Sequence, residues 1–254
     1  MTRPAAPAVY DAVAFDLFGT LIEFDPGLLP TLMVDGVPVP STVPRIADLL
    51  PRYVPGVTVG EFFVALRGVT EAIRVEHRGT LAETPSRERF RRVLEQVGCT
   101  ASWLDEAAVV LARQHHAGIA DATVFPPSRR AVLDAAARRG PVVVVSNFDD
   151  TASAMAILAR HGILPSLATV VVSEAVGLRK PHPATLVAAL TTLAIPAAAT
   201  LFVGDNFEAD VGVAHAVGAE AAWIDARGRG VPEGARRPRY VLRTLEELHD
   251  ALGT

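Results

Sequence analysis

The chain has 254 residues, 50% of them hydrophobic and 20% charged, as is typical of a globular protein with a sizeable core. Its net charge of -4 predicts no large basic surface, so we expect neither a nucleic-acid nor a membrane partner. The single cysteine, Cys99, excludes an internal disulfide, and no apolar run approaches the ~18 residues that a membrane span needs. Because the N-terminus also lacks a signal-peptide pattern, we expect a cytoplasmic protein.

Short apolar runs alternate with helical patterns along most of the chain. This alternation predicts an α/β fold in which helices cover both faces of a parallel sheet. The predicted strands are residues 12–17, 141–146, 168–173, 200–205 and 221–225. The predicted helices are residues 127–139, 150–161, 182–193, 207–217 and 244–252.

The region between Phe24 and Phe125 has a different pattern. Phe62, Leu66 and Val69 repeat at helical spacing, and no convincing strand is found there. We therefore expect an all-helical domain over residues 25–120, inserted into a core formed by residues 1–24 and 121–254.

Unusual polar residues follow four of the predicted strands. They are Asp16 after the first strand, Ser146 and Asn147 after the second, Lys180 in the loop after the third, and Asp205 and Asp210 after the fourth. Each has an ordinary interpretation on its own, since Ser146 could cap a helix and Lys180 could be a solvated surface lysine. Ligands of open parallel sheets bind beyond the carboxyl ends of the strands, so the joint pattern predicts one polar crevice.

This set of residues suits phosphoryl transfer. Three neighbouring carboxylates repel one another unless a divalent cation such as Mg²⁺ lies among them. Lys180 and the Ser146 hydroxyl could neutralise phosphoryl oxygens, while Asp16 attacks phosphorus to give an aspartyl-phosphate that water hydrolyses. Gly19 permits a sharp turn after Asp16, and Thr20 is expected to brace that turn beside the phosphate.

The stretches FDLFGTL, VVVVSN, LRKPHP and FVGDNFEAD resemble the four ordered motifs of the haloacid dehalogenase (HAD) superfamily of hydrolases. The resemblance implies a Rossmannoid core with a helical cap inserted after the first strand. It also implies a role for each motif residue: Asp16 as nucleophile, Ser146 and Asn147 on the transferred group, Lys180 on nucleophile and phosphate, Asp205 on Mg²⁺, the Phe18 backbone carbonyl on Mg²⁺, and Asp210 on the metal's waters or on Lys180.

Phe18 departs from the pattern of the family's phosphatases, which carry a second Asp two residues after the nucleophile. That Asp protonates the leaving group and then activates water, and a phenylalanine can do neither. General acid–base help is worth ~10²–10⁴ in rate, so Phe18 predicts a slow phosphatase or a leaving group that needs no proton.

The family's 2-haloacid dehalogenases also lack the second Asp, which makes dehalogenation through an aspartyl ester the main alternative. Those enzymes work without metal, carry Ser-Asn in place of Asp205-Asn206, have a Tyr where this chain has Leu186, and use an Arg to which Arg45 corresponds only loosely. The resemblance therefore favours a Mg²⁺-dependent phosphatase of a small phosphorylated metabolite, as a monomer or homodimer. A low-activity phosphate-binding or interaction protein is a further alternative.

His115 and His116 lie near the end of the inserted region, where a replacement acid or base could come from. His115 continues the apolar stripe of Leu104, Ala108 and Leu111, which favours a packed structural role.

Overall fold

The structure is a computed structural model that describes residues 10–100 and 102–249. Its strands are β1 (Ala12–Phe15), β2 (Glu23–Phe24), β3 (Thr31–Val34), β4 (Val37–Pro40), β5 (Thr123–Val124), β6 (Val142–Ser146), β7 (Thr169–Val172), β8 (Thr200–Gly204), β9 (Glu220–Ile224) and β10 (Tyr240–Leu242). Its α-helices are α1 (Leu50–Tyr53), α2 (Val59–Glu76), α3 (Ser86–Gln96), α4 (Leu104–Asp121), α5 (Pro127–Arg139), α6 (Thr151–Arg160), α7 (Ser173–Val176), α8 (Ala184–Leu193) and α9 (Gly212–Val217).

The described residues form two compact units. The core unit consists of residues 10–23, 125–148 and 158–249, and the inserted unit consists of residues 24–124 and 149–157. Residues 149–157, which contain most of α6, group with the inserted unit, although the sequence pattern places them in the core.

A six-stranded sheet with the order β10-β9-β8-β1-β6-β7 forms the centre of the core unit, and neighbouring strands pair in parallel. Strands β1, β6 and β8 are buried along their whole length, which explains their uniformly apolar sequences. Val143, Phe202 and Trp223 belong to one cluster of buried side chains with residues of α8 and α9. The predicted parallel α/β fold is thus confirmed.

The inserted unit has its own hydrophobic core, in which Phe62 of α2, Phe90 of α3 and Leu111 of α4 are fully buried. Helix α2 begins with a capping box, in which Thr58 and Glu61 satisfy each other's backbone N–H groups. The helical periodicity of this region therefore reflects real packing.

The prediction of an all-helical insertion was wrong for residues 31–40. There β3 and β4 form an antiparallel hairpin in which Val34 pairs with Val37. The turn between them is Asp35-Gly36, and both residues have positive φ, of 50° and 79°. An Asp-Gly dipeptide is a strong hairpin signal, but prolines in β4 and the exposure of both strands obscured the alternating pattern.

Other elements differ from the sequence prediction mainly at their ends. The predicted helix at 207–217 is a π-helical turn, Phe207–Val211, followed by α9. The predicted C-terminal helix at 244–252 begins with a 3₁₀ turn, Leu245–Glu247, and its residues 250–252 lie outside the described part of the chain.

Among the described residues, no helix combines the length and the apolar character that crossing a membrane requires.

Candidate active site

Asp16 lies at the carboxyl end of β1, where the chain leaves the sheet. Its backbone N–H donates to the Val203 carbonyl of β8 over 2.9 Å, and the residue is only 8% exposed. The following turn closes when Gly19 donates its N–H to the Ile22 carbonyl over 2.7 Å. Gly19 has φ +87°, and a Cβ there would lie 2.6 Å from Asp205 Oδ2. Only glycine therefore allows the turn to approach the Asp205 carboxylate this closely.

Lys180 is buried among three acceptors. Its Nζ lies 2.5 Å from Asp16 Oδ1, 2.8 Å from Asp210 Oδ1 and 2.8 Å from the Val145 carbonyl oxygen, and its side chain is 1% exposed. The contacts with Asp16 and Val145 are hydrogen bonds, and the contact with Asp210 is an ion pair. The lysine holds Oδ1 of Asp16, and none of the described hydrogen bonds ends on Oδ2 of this cleft-lining residue.

Asp210 reaches Lys180 because of the π-helical turn that follows β8. Asn206 caps this turn by accepting the Ala209 N–H at 3.0 Å, and its own N–H donates to Asp210 Oδ2 over 2.8 Å. With Oδ1 on Lys180 and Oδ2 on Asn206, both carboxylate oxygens of Asp210 have protein partners. A regular helix was predicted here because side-chain periodicity does not reveal a single wide turn.

Asp205 is the third carboxylate of the site. Its backbone carbonyl accepts the Trp223 indole N–H at 3.1 Å, which anchors the residue to β9. Oxygen atoms of Asp16, Asp205 and Asp210 lie within 4.8 Å of one another, a spacing that could hold a metal ion. The three carboxylates and Lys180 together leave two negative charges. Hard oxygen ligands with that charge fit Mg²⁺.

Burial is the largest single influence on the pKa of each of these groups, although nearby charges reverse its direction at Lys180. It raises the pKa of Asp16 to about 7, with Asp210 and Asp205 adding repulsion and Lys180 opposing them. Burial and the Asp210 charge likewise raise the pKa of Asp205. Burial alone would lower the pKa of Lys180, but Asp16 and Asp210 outweigh it and raise that pKa above its ordinary value. Lys180 is therefore a fixed positive charge at neutral pH, while the Asp16 carboxyl is poised to gain or lose its proton.

Ser146 and Asn147 follow β6, as predicted, but their side chains have different surroundings. The Ser146 hydroxyl is buried and has no hydrogen-bond partner among the described residues, as would suit a donor awaiting a ligand oxygen. Asn147 instead binds the Lys180 backbone twice, donating to its carbonyl over 3.1 Å and accepting its N–H at 2.7 Å. The Thr20 hydroxyl is buried and also lacks a partner within the described chain.

Phe18 is one of the residues that line the cleft. Its ring packs against Phe148 with centroids 5.1 Å apart. In the turn after β1, the Leu17 and Ile22 carbonyls accept the N–H groups of Leu21 and Gly19. Among the described hydrogen bonds, none ends on the Phe18 carbonyl, so this oxygen is available to a ligand.

These residues line a cleft of about 250 Å³ in the core unit, small by comparison with typical ligand pockets. A larger groove of about 670 Å³ lies in the inserted unit, between residues of the β3–β4 hairpin and α2. Its two carboxylates are Asp35, in the hairpin turn, and Glu61, which is engaged in the helix cap. We therefore place the chemistry in the smaller cleft.

The structure brings the predicted residues Asp16, Phe18, Ser146, Asn147, Lys180, Asp205 and Asp210 together around this cleft. Arg179, Asn206 and Trp223 belong to the same neighbourhood, but no sequence pattern singled them out. Proximity in sequence to Lys180 and Asp205 could have indicated the first two.

Three residues considered for other roles lie in the inserted unit. Arg45 pairs with Asp121 at 2.5 Å. His115 packs against Phe90 with ring centroids 5.3 Å apart, and burial lowers its pKa to about 3. His116 is buried, and its Nε2 lies 3.0 Å from Asp149. The predicted packed role of His115 agrees with these contacts.

A parallel sheet thus carries three neighbouring carboxylates and a buried ammonium at its carboxyl edge. The profile of the haloacid dehalogenase-like hydrolases matches residues 10–218, and the chain belongs to that family.

One curated relative is the haloacid dehalogenase-like hydrolase domain-containing protein 3 of Danio rerio, 30% identical over 105 residues. That match covers 41% of this chain and 43% of the relative, so it spans less than half of either protein.

Solved structures with the same fold include enzymes with different activities. The 2-haloacid dehalogenase from Pseudomonas syringae pv. Tomato DC3000 is 21% identical with a TM-score of 0.71, and the match covers 96% of this chain and 98% of that one. The HAD phosphatase from Thermococcus onnurineus is 20% identical with a TM-score of 0.60, and the match covers 96% and 98% of the two chains. At these sequence identities the likeness shows a shared fold and does not show a shared reaction.

Proposed function

We propose that the protein is a Mg²⁺-dependent phosphatase that acts on a small phosphorylated metabolite through an aspartyl-phosphate at Asp16. The observation that carries the proposal is the Lys180 ammonium held between Asp16 and Asp210, with Asp205 completing a carboxylate trio. A site with three neighbouring carboxyl groups suits a dication and, with it, a phosphoryl group.

Each residue has a distinct task in this reaction. Lys180 holds Asp16 Oδ1, so that Oδ2 is oriented for attack on phosphorus. The buried Ser146 hydroxyl donates to a phosphoryl oxygen, which satisfies the hydroxyl itself. Asn147 fixes the Lys180 backbone, a positioning role that replaces the direct phosphate contact implied by the resemblance.

Asp16, Asp205 and the Phe18 carbonyl would hold the metal, while Asp210 would restrain Lys180 and the metal's surroundings. When bound, Mg²⁺ supplies positive charge that neutralises the phosphoryl oxygens. Thr20, the other hydroxyl predicted to contact the phosphate, is fully buried and is not among the residues that line the cleft.

The test is turnover of a panel of phosphorylated metabolites with Mg²⁺ and with EDTA, for the wild type and for Asp16→Asn. We expect phosphate release that EDTA abolishes and that falls at least ~10³-fold in the variant. Turnover that ignores the chelator would contradict the metal requirement. Equal rates for wild type and variant would instead favour the phosphate-binding or interaction protein.

Phe18 favours a second candidate, a 2-haloacid dehalogenase, because a departing halide needs no proton. The likeness to the Pseudomonas syringae enzyme is compatible with it. Halide release from L-2-chloropropionate without metal would support this candidate. The pairing of Arg45 with Asp121 and the open Asp205 carboxylate both weigh against it.

A further inference from the structure

The side chains that line the cleft determine which groups could donate a proton to a substrate. Its lining residues with N–H or O–H groups are Ser146, Asn147, Arg179, Lys180 and Asn206. Among the cleft-lining residues that the structure describes, none is a histidine, and the only carboxyls are the three of the site itself. The position two residues after the nucleophile holds the Phe18 ring, packed on Phe148.

None of these groups can protonate a leaving group. The Lys180 ammonium donates to Asp16 and the Val145 carbonyl and is ion-paired with Asp210, so giving up a proton would break buried ion pairs. Arg179 can contribute charge, but a guanidinium does not release its proton in proteins. The Ser146 hydroxyl and the side-chain amides donate hydrogen bonds without acting as acids.

His182, the histidine closest in sequence to Lys180, does not supply the missing general acid. His182 follows Lys180 by two residues, but its Nδ1 accepts the Ala184 N–H at 3.2 Å at the start of α8. It is not among the residues that line the cleft in the described structure.

On the basis of the proposed function, we infer that the natural substrates are phosphoryl donors whose leaving group departs as a weakly basic anion, above all acyl phosphates. Alkyl phosphates, whose leaving oxygen needs a proton, turn over slowly. The phosphoryl-transfer transition state is loose and places charge on the leaving oxygen, so a carboxylate leaving group bears that charge unaided.

The atoms balance without an acid. Asp16 Oδ2 forms a bond to phosphorus, the bond from phosphorus to the leaving oxygen breaks, and the carboxylate leaves with the electron pair. The aspartyl-phosphate that results is itself an acyl phosphate, so the first step exchanges one such bond for another. Water then attacks phosphorus, the bond to Asp16 breaks, and the water's protons remain on inorganic phosphate or pass to solvent.

The experiment measures kcat/KM of the full chain with Mg²⁺ for acetyl phosphate, a series of substituted phenyl phosphates and glycerol phosphate. We expect kcat/KM to rise steeply as the leaving group becomes less basic, with acetyl phosphate at least ~10²-fold above glycerol phosphate. Acid quenching during acetyl phosphate turnover should trap phosphorylated protein, because water attack lacks a general base.

Two variants at one position separate the acid from the ring. Phe18→Asp introduces the missing acid and should raise the ratio of glycerol phosphate to acetyl phosphate turnover by ~10–10³-fold, which flattens the series. Phe18→Leu removes the ring without adding an acid and should keep the wild-type slope, whatever its absolute rate. Circular dichroism melting identifies a variant that fails to fold, and in that case the wild-type slope still decides the question.

The possible outcomes are distinct. Wild-type rates for acetyl and glycerol phosphate that agree within about threefold would overturn the inference about the leaving group and leave the phosphatase proposal standing. Absence of Mg²⁺-dependent turnover of every phosphoryl donor, acetyl phosphate included, would overturn the proposed function itself.

Discussion

Lys180 forms ion pairs with two of the three carboxyl groups of the site. Its ammonium is the shared partner of two buried carboxyl groups, so removing it leaves Asp16 and Asp210 without their cation. Breaking a buried pair in this way costs ~3–5 kcal/mol, although a pair of protonated carboxyls would lower the cost.

Lys180→Ala should therefore both unfold more easily and lose activity. We expect a loss of ~3–5 kcal/mol of unfolding free energy at pH 8 and a fall in kcat of at least ~10²-fold. Urea denaturation and the phosphatase assay measure the two effects. A variant with wild-type stability at pH 8 would contradict the paired, ionised state of the site.

Gly19 should be required for the metal site as well as for the turn. Gly19→Ala adds a Cβ 2.6 Å from Asp205 Oδ2 at a φ of +87°. Gly36→Ala is the matched control, because Gly36 has φ +79° and a Cβ there would meet nothing within 4 Å. Both variants should lose ~1–2 kcal/mol of stability from backbone strain.

Only Gly19→Ala should also weaken Mg²⁺ binding, by an expected tenfold or more. Isothermal titration calorimetry of both variants with MgCl₂ measures this difference. Equal magnesium affinities in the two variants would show that the close approach of Gly19 to Asp205 is dispensable.

The raised pKa of Asp16, about 7 against an ordinary 3.8, gives the metal-free protein an unusual pH dependence. Between these two values the folded state keeps a proton that the unfolded state has released. The unfolding free energy contributed by Asp16 is therefore fully present below pH 4 and falls as pH rises through about 7. The raised pKa of Asp205 acts in the same direction.

Urea denaturation with EDTA at several pH values between 4 and 8 tests this expectation, and Asp16→Asn should flatten the curve. Conversely, Mg²⁺ requires the deprotonated carboxylates, so its affinity should increase as pH rises through about 7. Magnesium affinity that is constant over this range would place the Asp16 pKa near its ordinary value.

At the scale of elements, two of the four arginines of α3, Arg89 and Arg91, have different surroundings. Arg89 pairs with Asp149 at 2.8 Å, with side chains 17% and 13% exposed, and its Nη2 lies 3.3 Å from His115 Nε2. Burial would raise the pKa of Asp149, but His116 and Arg89 outweigh it and hold that pKa below its ordinary value. This cluster ties α3, α4 and the start of α6 together within the inserted unit.

Arg89→Ala should destabilise the protein by ~3–4 kcal/mol, because Asp149 loses its guanidinium in a mostly buried place. Arg91→Ala is the control on the same helix. Arg91 is 40% exposed and pairs with Glu95 at 3.0 Å, so its loss should cost less than ~1 kcal/mol. Urea denaturation at pH 7 compares the two variants, and equal losses would mean that the Arg89 cluster adds nothing to the fold.

The elements that the sequence predicted well are those with a single strong signal. Five strands of the central sheet were located within two residues of their ends, because short and nearly continuous apolar runs are typical of strands buried in a parallel sheet. The β3–β4 hairpin was missed since both strands are largely exposed and β4 contains two prolines. Strand β10 was missed because three residues are too few for a pattern.

For the site, the positions of Asp16, Ser146 and Asp205 followed from the rule that parallel strands end at one edge. The bonds of Asn147 to Lys180 and the π-helical turn that delivers Asp210 did not follow from any rule. Such contacts depend on three-dimensional register and on backbone turns of five residues, which a linear pattern does not encode.

At the scale of the whole molecule, the order of the strands explains why distant residues form one site. β1 lies between β8 and β6, so the ends of three neighbouring strands place Asp16, Ser146 and Asp205 side by side. Lys180 comes from the loop after β7 and is held there by Asn147.

The same strand order has a consequence for synthesis on the ribosome. Of the strands in the central sheet, β1 emerges first, yet both of its neighbours, β6 and β8, lie on the far side of the inserted unit in the chain. Until β6 has been translated, β1 has neither of its sheet partners in the nascent chain, and its second partner, β8, follows only after residue 200. We expect β1 to be the segment that chaperones protect during translation, and the site around Asp16 to form only after β8 has been made.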